Sequence, residues 1–64
     1  MIGINIEKLL QLKGKSIYWL SKESGVSWGN IKVIIVGSNK NPTMETLAKI
    51  AQALDVPITA LLEN

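Results

Sequence analysis

The side chains able to do covalent or metal chemistry are few and poorly spaced for it. The 64 residues include no cysteine and no histidine. That removes thiol and imidazole nucleophiles, disulfide staples and the usual ligands of a structural zinc. Glu7, Glu23, Glu45, Asp55 and Glu63 are scattered along the chain, so no paired carboxylate stands near a nucleophile. There is no phosphate-cradling glycine loop, and a chain this short leaves no room for a deep pocket. An enzyme is therefore not expected, and neither a cofactor nor a small-molecule substrate is implied. What the side chains can do is bind. Seven lysines against five acids give a net charge of +2, which permits contact with nucleic acid without demanding it. The sequence has no arginine, the preferred bidentate partner of guanine and phosphate.

These groups must be carried by helices. Apolar residues recur at three- and four-residue spacing throughout, and no stretch alternates for long. Ile2, Ile6, Leu9 and Leu10 share one face of a first helix that runs to about Lys13 and ends at Gly14. Ser16 is a natural N-cap for a second helix, Ile17 to Ser24, with Gly25 as its left-handed terminator. Ser27 caps a third, Trp28 to Val36, closed by Gly37. Asn39, Asn41 and Pro42 mark an irregular polar loop. Thr43 caps a fourth helix with Leu47, Ile50, Ala51 and Leu54 in one stripe, and Glu45 in its first turn suits the helix dipole. Val56 and Pro57 turn the chain into a short last helix through Leu61 and Leu62. Residues 1–64 read as a single all-α domain of five helices, near the lower size limit for unaided folding. No apolar run approaches the roughly 18–20 residues of a membrane span, and no secretory signal is visible. A soluble, cytoplasmic protein is the expectation.

The segment SIYWLSKESGVSWGNIKVIIVG, about residues 16–37, resembles the helix-turn-helix unit of the phage-repressor/Cro (XRE-type) family. Leu20 matches the inward leucine of the first motif helix, and Ser21 the small residue where the two helices nearly touch. Gly25 matches the turn glycine, Val26 the buried residue after it, and Ile31 and Ile34 the core of the recognition helix. Gly37, the loop ending in Asn41-Pro42 and a later helix ending in LDV also fit, so the resemblance covers essentially the whole chain. It implies a compact five-helix repressor/Cro-like fold with Leu20, Val26, Ile31, Ile34, Leu47, Ile50 and Leu54 in the core. The family usually pairs Glu at the position of Ile35 with Arg at the position of Leu10. Both are apolar here, and replacing a buried ion pair by hydrophobic neighbours is often neutral or stabilising, so both read as core. Trp19 is expected to pack beside the first helix.

By the same resemblance the base-facing positions are Trp28, Gly29, Lys32 and Val33, and Ile17 stands where a backbone-contacting glutamine is common. Among these only Lys32 is a strong donor, and Val33 can touch little but a thymine methyl. Helical spacing puts Trp28, Val33 and Val36 opposite the inward Ile31, Ile34 and Ile35. With Ile17, and Tyr18 at the edge, they predict a contiguous exposed apolar patch of the kind that marks protein interfaces. The leading expectation is accordingly a protein-binding module on a repressor-type scaffold, engaging its partner through Ile17, Trp28, Gly29, Lys32, Val33 and Val36. Deliberate redesign of a natural domain into a binder would produce such a face. The alternative is a transcriptional regulator that binds operator DNA as a homodimer. Its contacts would come from Ser27, Asn30, Lys32, Lys40 and Asn41, with dimer residues at Leu61 and Leu62. A third reading pairs the apolar face with itself.

Overall fold

The computed structural model describes residues 1–63; Asn64, the last residue of the expected domain range, lies outside them. Among the described residues the chain forms α1 (Ile2–Lys13), α2 (Ile17–Ser24), α3 (Trp28–Ile35), α4 (Met44–Leu54) and α5 (Thr59–Leu62). None of these helices is long and apolar enough to cross a membrane.

Local chemistry sets each boundary. The Ser16, Ser27 and Thr43 hydroxyls accept the backbone N–H groups of Trp19, Asn30 and Thr46. Each bond satisfies one amide that a helix start would otherwise leave unpaired. Gly14 and Gly25 close α1 and α2 in the left-handed region. Asp55 does the same for α4 with φ 58°, and its N–H and that of Val56 return to the carbonyls of Gln52 and Ala51. The third helix ends at Ile35, one residue earlier than its apolar spacing suggests. Val36 still donates to the Lys32 carbonyl, but Gly37 turns left-handed at φ 85° and diverts the chain. The loop beyond it is tied back by the Asn39 N–H, which donates to the Val33 carbonyl at 2.9 Å.

The core is wholly apolar. Ile6, Leu10, Leu20, Val26, Ile31, Ile34, Leu47, Ile50, Ala51, Leu54 and Leu61 are buried, and among the described residues no polar side chain joins them. Of the core residues expected from the sequence all but Ile35 are among them; Ile35 is half-buried and packs against the cluster. Each large side chain removed from water contributes about 1.5–3 kcal/mol, and in a domain this small nearly all of them are needed. α3 packs on α1 and α2, while α2 packs on α4 and α1 on α5.

Two features of this packing are not visible as helical periodicity. Gly3 is buried in α1 where the helix meets the end of α3. A Cβ there would sit 2.4 Å from the Ile34 carbonyl oxygen and 2.8 Å from that of Ile35. Glycine at this position sets how closely α1 and α3 approach. The Asn5 side-chain amide donates to the Leu61 carbonyl at 2.9 Å and to that of Glu63, which binds the end of α5 to α1.

Candidate nucleic-acid interface

α2 and α3 meet through a turn whose geometry is held by one hydroxyl. Ser24 Oγ donates to the Leu20 carbonyl at 2.6 Å and accepts from the Val26 N–H at 3.1 Å. With Gly25 at φ 76° and Val26 buried, this fixes the direction in which α3 leaves α2. Ile31 and Ile34 face the core, so the opposite side of α3 faces outward. Ser27, Trp28, Gly29, Asn30, Lys32 and Val33 are all exposed there or at its edges. Trp28 keeps 50% of its surface accessible and Val33 38%. Helix geometry leaves the Trp28 and Gly29 amides without intrahelical acceptors.

The apolar patch expected from spacing is broken up. Ile17 is half-buried and packs against the core. Its position at the start of α2 does not make it part of an outward face, because the second helix rolls that side chain onto its neighbours. Val36 is exposed but stands at the far end of α3, about 12 Å along the axis from Trp28 at 1.5 Å per residue. There it lines a groove with Met1, Ile4 and Leu62. What remains at the start of α3 is Trp28, Gly29, Lys32 and Val33. The Lys32 ammonium lies 5.9 Å from the centroid of the Trp28 ring, so the ring carries a cation and is not a bare apolar face.

The polar residues expected to touch DNA are also accessible. Asn30 is on α3, and Lys40 and Asn41 are exposed in the loop that follows. The Asn39 side-chain carbonyl accepts the Asn41 N–H at 3.1 Å and shapes that loop. Leu61 does not serve as a surface contact: it is 0% exposed and belongs to the core, whereas Leu62 is 44% exposed.

Net charge alone hides how the charges are distributed. Between residues 13 and 40 stand Lys13, Lys15, Lys22, Lys32 and Lys40 against the single acid Glu23, a balance of +4. The rest of the chain has Lys8 and Lys49 against Glu7, Glu45, Asp55 and Glu63, a balance of −2. Glu23 lies with Lys49 and Gln52 along a polar cleft. Residues 13–40, the helix-turn-helix segment together with its flanks, are therefore the cationic stretch of the chain. This signal was present in the sequence, in the order of the charges and not in their sum.

Comparison with known proteins bears on which partner this surface meets. A model of the Cro/C1-type HTH DNA-binding domain matches residues 5–63. The HTH-type transcriptional regulator SlrR of Bacillus subtilis (strain 168) is 38% identical over 63 residues, 98% of this chain and 41% of that regulator. The chain thus spans about two fifths of the length of this relative. The N-terminal DNA binding domain of SinR from Bacillus subtilis superposes with a TM-score of 0.94 at 31% identity, over 100% of this chain and 93% of that one. A structure of SinR, the master regulator for biofilm formation, in complex with DNA superposes at 0.93 with 32% identity, over 98% of this chain and 100% of that one.

These matches overturn the expectation of a protein-binding module, natural or redesigned, acting through Ile17, Trp28, Gly29, Lys32, Val33 and Val36. The physical reason is in the packing. That expectation needed one continuous apolar surface, and the fold packs half-buried Ile17 against the core and turns Val36 into a groove at the far end of α3. With a cationic segment, an exposed recognition-helix start and a family match over nearly its full length, the chain belongs to the Cro/C1-type helix-turn-helix DNA-binding domain family.

Proposed function

We infer that this chain is the DNA-binding domain of a transcriptional regulator and that it lays the first half of α3 in the major groove. The observation that carries this reading is the likeness, across 98% of the chain, to SinR solved in complex with DNA. The excess of lysine over residues 13–40 supports it, because neutralised phosphates and released counterions drive such binding. Residues 1–64 act as one domain in this reading, working on DNA in the cytoplasm and not as an enzyme.

In this arrangement Lys32, Trp28 and Val33 face base edges, with Asn30 beside them. Lys32 is the donor suited to guanine O6 and N7, and Val33 is suited to a thymine methyl. Ser27, Lys40 and Asn41 meet the backbone, where phosphate contacts fix the register without reading sequence. The regulator binds as a homodimer, one domain to each half-site.

Selection from randomised duplex DNA, at low and at physiological salt, tests this. An enriched motif made of two inverted half-sites about one helical turn apart supports both DNA reading and the homodimer. An enriched single half-site keeps the first and removes the second. Absence of enrichment at either salt removes the reading.

A further inference from the structure

Few bonds hold the turn between α2 and α3. The Gly25 N–H still closes α2 on the Ser21 carbonyl, and the Ser27 hydroxyl and carbonyl begin the bonds of α3. Between them, the Val26 N–H has one acceptor among the described residues, the Ser24 hydroxyl at 3.1 Å. That hydroxyl is itself held by donating to the Leu20 carbonyl at 2.6 Å. A single side chain thus links the body of α2 to the residue two before α3. Val26 is buried, so its amide has no cheap substitute for that acceptor.

Packing alone leaves the angle of α3 loosely set. Ile31 and Ile34 hold the helix on the core, but burial of apolar area has no direction. A hydrogen bond does, because it weakens steeply as it bends. Val33 stands six residues beyond Ser27, about 9 Å along the axis of an α-helix. A tilt of about 10° at the turn moves it by roughly 1.6 Å, where a binding constellation tolerates about 0.5 Å. Lysine contacts to phosphate are more forgiving, since they carry no sequence information.

Resting on the DNA-binding reading, we propose that Ser24 is a positioning residue for the recognition helix. Its hydroxyl sets the angle at which α3 presents Trp28, Lys32 and Val33, and so controls sequence discrimination without touching DNA. Ser24 itself lines a polar cleft with Glu23, Lys49 and Gln52, between α2 and α4.

The test compares Ser24→Ala, Ser24→Cys and Ser24→Thr with Asn5→Ala, whose lost bonds lie at the end of α5. Each chain is melted, then titrated well below its melting temperature with the duplex enriched by the wild-type chain and with a scrambled duplex. Ser24→Ala removes the hydroxyl, and Ser24→Cys replaces it with a weak hydrogen-bonding thiol. Both are expected to bind the enriched duplex roughly tenfold more weakly, the scale of one mismatched base pair. Scrambled duplex should stay within about twofold of wild type, because its binding is electrostatic. Ser24→Thr keeps the hydroxyl and should restore discrimination. Asn5→Ala should melt lower and discriminate as the wild type does.

Discrimination kept by Ser24→Ala, or by Ser24→Cys should the alanine chain not fold, overturns the proposal. So does an equal loss on both duplexes, or a Ser24→Thr chain as undiscriminating as Ser24→Ala. These results leave DNA binding standing, whereas a wild-type chain that enriches no duplex removes both readings together.

Discussion

The Lys32 ammonium stands 5.9 Å from the centroid of the Trp28 ring, one helical turn apart on the outward side of α3. Lys32 is the one charged residue of α3, and its ammonium lies over the half-exposed Trp28 indole. A cation–π contact at an exposed site is worth only about 0.5–1 kcal/mol, so Lys32 is free to leave the ring for a base edge when DNA is bound.

Lys32→Ala is expected to cost about 1–3 kcal/mol of binding to the preferred site and to relax sequence choice at one position. Fluorescence anisotropy on duplexes carrying each base at that position measures it. An equal loss on every duplex would assign Lys32 to phosphate instead.

Lys40 is exposed in the loop after α3 and, in the proposed arrangement, meets phosphate. Lys40→Ala should weaken all duplexes alike and reduce the slope of log affinity against log salt by about one phosphate contact, close to 0.9. A titration from low to physiological salt reads the slope, and an unchanged slope would remove Lys40 from the interface.

Gly3→Ala should destabilise the domain, because its Cβ would press on the Ile34 and Ile35 carbonyls. Forcing atoms into a well-packed contact costs about 1–3 kcal/mol, and each kcal/mol lowers the melting temperature of so small a domain by about 4–8 °C. The change pushes against the end of α3, not its start, so the folded fraction should keep the wild-type DNA preference. Circular dichroism melting and anisotropy together separate the two effects.

Asn5 joins α1 to the last helix through the Leu61 and Glu63 carbonyls. Asn5→Ala removes those bonds, at a net cost of about 1 kcal/mol. Amide hydrogen exchange should quicken in α5 well before it changes at Leu20 or Leu54. Uniform acceleration across the domain would show that α5 does not open separately.

Much of this architecture is readable along the chain. Ser16, Ser27 and Thr43 cap the helices as their positions suggest, and Gly14 and Gly25 close them. The stripe of Leu47, Ile50, Ala51 and Leu54 is buried as its spacing requires. These are short-range effects, decided within one or two helical turns. The interface was half legible. Trp28, Lys32 and Val33 stand on the outside of α3 as their spacing predicts, yet the apolar character of Trp28 and Val33 suggested a protein partner. The run of lysines from Lys13 to Lys40 carried the opposing signal.

The sequence by itself determined the helices, their caps, the inward faces and the cationic bias of residues 13–40, because each depends on residues close together in the chain. Only the tertiary structure decided that Leu61 belongs to the core and Ile17 packs half-buried against it, that Val36 lines a groove at the other end of α3 from Trp28, and that Gly3 is a contact point while Gly29 is bare. Helical spacing states which way a side chain points from its own axis. What lies opposite depends on how α1, α3 and α5 come together, and that is set by the packing of residues far apart in sequence.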